Sequence, residues 1–322
     1  MVTASDAKTA NWVCAALSLV ILFVRFVATR YRDKRFDLAS ALVGASIAVL
    51  IARIVVVYLY LLYGTSNDVL SGKKSYFDDS DLRTIKAGSI LAVVARILIT
   101  TFYWLQISLL LLFYSNLVRD IHWKHTIKVS WALVVATYVA VVLASVLECH
   151  PFKLYWQISP APGQCVHAYT QLYVQGISNI VLDLCLLAIS YPLLNFKNKS
   201  WSQTLRVGLL FILGFFTIIV TCVRLAYIHG ENSFQPVRSF WASVQMFTST
   251  FVANAPIIYG CWQVVHRRKS EQRTRRMTQP ELWLPLSTSP AHSDAPQSPT
   301  IAHMRTRDSV ADDEKAWSRH VS

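Results

Sequence analysis

Seven long apolar runs dominate the chain: Asn11–Thr29, Asp37–Tyr63, Gly88–Val118, Thr126–Leu147, Thr170–Leu194, Gln203–Ile228 and Phe240–Val265. A helix needs about 20 apolar residues to cross the hydrocarbon of a bilayer. Each run meets that length, so the pattern predicts an all-α, seven-transmembrane helix bundle. The third run is long enough to extend past the membrane as a tilted helix. Residues 1–265 form the predicted membrane domain. A basic juxtamembrane segment, 266–276, follows. Residues 277–322 are rich in Ser, Thr, Pro and charge and show no helical or strand period, which predicts a disordered tail. No internal repeat is visible, and seven spans do not divide into two equal halves, which disfavours an inverted-repeat transporter.

Composition agrees with lipid as the solvent. The 322 residues are 54% hydrophobic and 15% charged, against about 25% charged in ordinary soluble domains. The formal net charge is +13, but the basic residues sit between apolar runs. That places them against a cytoplasmic leaflet rather than on nucleic acid. One set of loops carries Arg30, Arg32, Lys34, Arg35, Arg119, Lys124, Lys128, Lys197, Lys199, Arg206, Arg267, Arg268, Lys269, Arg273, Arg275 and Arg276. The other carries Lys8, Lys73, Lys74, Arg83, Lys86, Lys153 and Arg238. Sixteen against seven predicts an outside N-terminus and a cytoplasmic C-terminus. The first run has a basic cluster after it and no cleavage-site pattern, so it reads as an uncleaved signal anchor. Asn198 begins an Asn-x-Ser sequon in a loop predicted to be cytoplasmic, and endoglycosidase-sensitive sugar there would overturn the orientation. Cys149 and Cys165 lie in the long outer loop between the fourth and fifth runs. In an oxidising compartment they are expected to form a loop-stapling disulfide, with two free thiols as the alternative.

Ionisable groups at membrane depth are costly and tend to mark function. Four stand out: Arg53, Arg96, Asp183 and Arg224. Counted along their helices, all four fall at the centre or in the outer half of the bilayer. Gln175, Asn179 and Asp183 are spaced i, i+4, i+8 and share one helix face. Gln245 and the deeper Gln106 complete a candidate polar cavity opening outward. One Asp against three Arg leaves positive charge in excess. In one reading Asp183 pairs with an arginine while the others bond helix carbonyls. In the other, the spare guanidinium forks receive an anionic or polar small ligand.

Cys149-His150-Pro151, Trp156 and Pro162-Gly163-Gln164-Cys165 resemble the outer-loop signature of the fungal rhodopsin-domain family. This family of seven-span membrane proteins includes Pth-eleven-like receptors and satratoxin-cluster-type proteins. Asn179-Ile180-Val181-Leu182-Asp183 and Pro192-Leu193-Leu194 are similar to its fifth span, and Gly214 with Val223-Arg224-Leu225 to its sixth. Trp241, Ala255 and Pro256 are similar to its seventh, and Tyr63-Gly64 to the end of its second. Gln106, Asn116 and Gln245 stand where the family carries charge, and its acidic pair before the second span is reduced to Asp37. The resemblance spans roughly residues 12–265. It implies a receptor-like protein, with a link to fungal secondary metabolism. Asn254-Ala255-Pro256-Ile257-Ile258-Tyr259 also looks like the Asn-Pro-x-x-Tyr element of animal G-protein-coupled receptors, with one residue inserted.

The seventh run has no Lys, so retinal has no Schiff-base attachment point. No His-Glu-x-x-His, Gly-x-Ser-x-Gly or phosphate-binding glycine loop is present. No cofactor or metal is expected. The enzyme reading rests on Asp183 alone, as a general acid in a cyclase-type reaction on an apolar metabolite. A receptor-like sensor is the first reading, that enzyme the second and a transporter the third. The expected partners are the lipid bilayer, an unidentified small ligand and a cytoplasmic signalling partner at the basic loops and tail.

Overall fold

The computed structural model describes residues 3–32, 37–66, 79–117, 121–157, 164–194, 201–231 and 235–278. The Asn198 sequon and the tail from residue 279 lie outside them. Seven long helices make up the described chain: α1 (Ala4–Arg32), α2 (Leu38–Tyr63), α3 (Asp79–Leu117), α4 (Ile121–Leu147), α5 (Tyr169–Leu194), α6 (Trp201–Gly230) and α7 (Gln235–Thr278). Two short 3₁₀ turns, Phe152–Tyr155 and Gln164–His167, shape the loop between α4 and α5. The chain divides into two units, Met1–Tyr259 and Gly260–Ser322. The fold and the cavity described below belong to the first.

The helices are sorted inside out relative to a water-soluble bundle. Val20, Phe23, Ile212 and Phe215 are exposed, while Ser46, Arg53, Thr100, Gln175, Thr250 and Asn254 are buried. Lipid makes this arrangement favourable, since it solvates apolar side chains and leaves polar ones to find each other inside. Helix α2 shows how the sequence produces it. Its buried residues Val43, Ser46, Leu50, Arg53, Val57 and Tyr60 recur every three or four positions and form one stripe. Buried hydroxyls are satisfied within their own helices: Ser46 Oγ donates to Leu42 O at 2.8 Å and Thr100 Oγ1 to Arg96 O at 2.8 Å.

Six of the described helices, α1 to α6, are long and apolar enough to cross a membrane. Helix α7 carries too many polar residues for that description, yet it runs beside α1 in the same direction. Asn11 of α1 and Ser243 of α7 meet the same guanidinium, that of Arg53. Further along, Arg25 of α1 bonds Asn254 of α7. From Ser243 to Asn254 is about 16 Å at 1.5 Å per residue, so α7 traverses the layer that α1 traverses. Its polar residues are tolerated because they face protein.

Helix α3 is the most enclosed span. Its 39 residues reach about 58 Å, well beyond the hydrocarbon. It lies against α2 at Gly88, where an added Cβ would stand 2.0 Å from the carbonyl oxygen of Gly64. Gly64 itself ends α2 with φ of 79°, a conformation that favours glycine. Gly88→Ala is expected to lower stability by about 1–3 kcal/mol through overpacking against backbone that cannot move aside. Gly44→Ala, with nothing within 4 Å of the new methyl, is the control. Equal unfolding midpoints for the two variants would show that α2 and α3 separate freely.

The loop between α4 and α5 is stapled by a Cys149–Cys165 disulfide, with Cα atoms 5.3 Å apart. Tyr155 is drawn under the staple. Its hydroxyl donates to Ser145 O, and its carbonyl accepts from Ser66 Oγ at 2.9 Å. The loop is thereby fastened to the ends of both α2 and α4.

Candidate functional site

Arg53, Arg96 and Arg224 lie in the half of the bundle nearer the disulfide loop, but they do not share one pocket. Arg53 is fully buried on α2. It donates to Asn11 Oδ1 at 2.8 Å and to Ser243 Oγ at 3.2 Å, with Met246 Sδ at 3.5 Å. It ties α1, α2 and α7 together. Arg96 lies 5.9 Å from the centre of the Tyr155 ring, a cation–π contact that seats the loop on α3. Burial pushes the Tyr155 phenol up while the Arg96 charge pulls it down. Arg224 donates to Gln245 Oε1 at 2.6 Å and lies 5.9 Å from the centre of the Tyr103 ring.

Among the described residues Asp183 forms no ion pair, and its carboxylate contacts Thr217 Oγ1 at 2.8 Å. The pairing of Asp183 with an arginine, one of the two expectations from charge counting, does not occur among the described residues. The physical reason is depth: Asp183 meets α6 at Thr217, and Arg224 lies on nearly the same face of α6 but seven residues, about 10 Å, further along it, where it donates to Gln245 of α7.

The shared face on α5 extends one step further than the i, i+4, i+8 spacing suggested. Arg238 of α7 donates to Gln171 Oε1 at 2.8 Å, and Gln171 Nε2 donates to Gln175 Oε1 at 2.7 Å. Asn179 and Asp183 continue the ladder inward. At its inner end a cavity of about 40 Å³ opens between α3, α5, α6 and α7. Tyr103, Asn179, Asp183, Thr217 and Gln245 are among its walls. Asn179 is 5% exposed, and among the described residues its Oδ1 has no hydrogen-bond partner. Of the eight residues singled out from the sequence, the cavity brings together Asn179, Asp183 and Gln245, with Arg224 one contact behind. Arg53, Arg96 and Gln175 stand apart from it.

Gln106 belongs to a different network. Its Oε1 accepts from Asn254 Nδ2 at 3.4 Å, and Asn254 Oδ1 accepts from Arg25 at 2.8 Å. Arg25 also donates to Ala253 O at 3.1 Å. This cluster joins α1, α3 and α7 towards the end away from the disulfide. Arg25 was not among the residues singled out, although it lies inside the first apolar run and meets the same criterion. Its position beside the basic cluster that follows the run hides it. Thr217 was also missed, because a threonine in an apolar run carries no signal of its own. Glu148 serves the fold rather than the cavity. Its two oxygens accept from the backbone N–H groups of Thr170 at 2.6 Å and Gln171 at 3.1 Å, and so it caps the N-terminus of α5.

Comparison with known proteins places these features in a family. A wortmanamides biosynthesis cluster protein C from Talaromyces wortmannii is 25% identical over 122 residues, 37% of this chain and 33% of that protein. The matched region is thus about a third of that relative's length. No solved structure matches. The family model of the fungal rhodopsin domain matches residues 24–264, a stretch that contains α2 to α6, the stapled loop and the whole cavity. The chain is therefore a multi-pass integral membrane protein of the fungal rhodopsin domain family.

Proposed function

We propose that this protein is a receptor-like sensor. A small polar ligand would enter the cavity between α3, α5, α6 and α7, with the N-terminus outside and the C-terminus in the cytoplasm. The observation that carries the reading is the cavity itself, which brings the polar side chains of Asn179, Asp183, Thr217 and Gln245 together within the membrane-spanning bundle. Arg53 engages α1 and α7 rather than the cavity, which favours a polar ligand over an anionic one. About 40 Å³ holds little more than water, so a larger guest must part the helices. A ligand that binds only the parted arrangement shifts the bundle towards it, which is what a sensor requires. The basic loops and helix ends are the surface where a cytoplasmic partner would read that change. The name of the Talaromyces relative supports a link to a secondary-metabolite pathway.

The second reading is a membrane enzyme using Asp183 as acid. It has less support, because Glu148 has both oxygens engaged by α5 and is not available as a second carboxylate. Gene deletion with metabolite profiling separates the two. Loss of a response with unchanged cluster chemistry is expected for the sensor. Accumulation of one specific precursor, restored by the wild-type gene but not by Asp183→Asn, would overturn the sensor in favour of the enzyme.

A further inference from the structure

The end of α7, from Gly260 to Thr278, lies in the second unit. Its sequence holds a pattern that a lipid-facing role does not explain. The 322 residues contain two adjacent arginine pairs, Arg267-Arg268 and Arg275-Arg276. Each is followed, after one intervening residue, by a hydroxyl: Ser270 after Lys269, and Thr278 after Met277. Anionic lipid asks only for positive charge. It sets no requirement on the residue two places beyond each pair, yet both pairs carry a hydroxyl there. Ser270 is exposed on the helix, as are His266 and Glu271 on either side of it. Thr278 is the last helical residue, and the final turns of a helix open most readily.

We propose that Ser270, with Thr278 as a second copy, is a phosphorylation site. The enzyme would be a serine/threonine kinase whose groove offers acidic pockets to arginines two and three residues before the acceptor. Guanidinium forks pair well with carboxylates, so each arginine pair fixes which hydroxyl reaches the nucleotide. Ser270 Oγ attacks the γ-phosphorus of ATP. A new O–P bond forms, and the bond from that phosphorus to the oxygen bridging to the β-phosphate breaks. ADP leaves, and the hydroxyl proton passes to the kinase's base carboxylate. The consequence is electrostatic. Residues 266–278 hold six basic side chains, Arg267, Arg268, Lys269, Arg273, Arg275 and Arg276, against the one acid Glu271. Two phosphates add about −3 to −4. That cancels most of the attraction of this segment for an anionic leaflet and releases it.

This inference rests on the cytoplasmic C-terminus of the sensor reading and on nothing in the cavity. The detergent-purified full chain is incubated with ATP and the catalytic subunit of cyclic-AMP-dependent kinase, and phosphate is assigned by peptide mass spectrometry. Phosphate is expected on Ser270 and Thr278. The double variant Arg267→Gln, Arg268→Gln is expected to slow Ser270 at least about tenfold while Thr278 keeps its rate. Thr278 thus serves as a control within the same molecule against misfolding. No phosphate on Ser270, or an unchanged rate in the variant, would overturn the proposal and leave the sensor reading standing. Hydrogen–deuterium exchange of residues 266–278 tests the release. In phosphatidylserine vesicles phosphorylation is expected to speed it severalfold, with no change in phosphatidylcholine vesicles. Equal rates before and after phosphorylation in phosphatidylserine would sink the electrostatic switch. Orientation is read separately, with an epitope tag after Ser322. Antibody is expected to reach it once digitonin opens the plasma membrane alone. A tag reached on intact cells, or hidden until every membrane is opened, would overturn the orientation and the kinase's access with it.

Discussion

Arg53→Ala is expected to lower the unfolding midpoint by roughly 4–12 °C in detergent, from a loss of about 2–4 kcal/mol. Two effects oppose each other. Removing a buried guanidinium relieves its desolvation cost, which is large for a charge with no acid beside it. Against that, Asn11 is left with a buried oxygen and no donor, and α1 and α7 lose their common anchor on α2. Ser243 is not orphaned, because its hydroxyl already donates to Ser239 O at 2.9 Å. Interhelical hydrogen bonds inside membranes average well under 1 kcal/mol when neutral, so most of the loss comes from the charge-assisted bond to Asn11 and from the void left by the long side chain. Arg53→Met keeps the volume and is expected to lose less than alanine. Adding Asn11→Leu to it removes the orphaned oxygen and is expected to recover part of the loss. If Arg53→Ala keeps its midpoint but loses a ligand response, Arg53 binds ligand and the anchoring role is wrong.

The disulfide should show the next largest effect. It closes a loop with a sequence separation of 16, for which chain entropy gives about 3 kcal/mol. That figure is a ceiling. The unfolded state of a membrane protein keeps much of its helix in lipid, so α4 and α5 stay tethered and the open loop gains less freedom than a free chain would. Lost packing adds to the entropy term: Tyr155 leaves Ser145 and Ser66, and Arg96 loses the ring beneath it. A reducing agent is expected to lower the midpoint of the wild type and leave the Cys149→Ala, Cys165→Ala double variant unmoved. Equal sensitivity of both proteins would place the effect elsewhere.

The membrane class, the seven helices and the cysteine pair are all local properties, and each is legible in the one-dimensional pattern. A run of apolar residues reports its own length. A fixed rise per residue then sets the depth of each polar side chain, so Arg53, Arg96, Asp183 and Arg224 can be ranked by level before any packing is known. Two cysteines in one loop between spans have few other partners. Even so, composition alone undersells α7, because a helix whose polar face meets other helices need not be apolar all round.

Depth does not fix azimuth, and partner choice depends on azimuth. Asp183 and Arg224 stand on neighbouring helices but differ in depth, since Thr217, which Asp183 meets, lies about 10 Å along α6 from Arg224, and Arg224 turns to Gln245 of α7. Arg53 turns away from the polar face of α5 to hold α1 and α7. These rotations follow from how side chains of several helices interlock at once, a non-local sum that no single run contains. The cavity emerges at the same level. Thr217, Thr248 and Ser249 are unremarked residues in their own spans, and only when α5, α6 and α7 close around Asp183 do they line one small space. The chain's membrane character and depth profile were thus local matters. Which arginine braces the bundle, and which residues line the cavity, depended on the packing of helices distant in sequence.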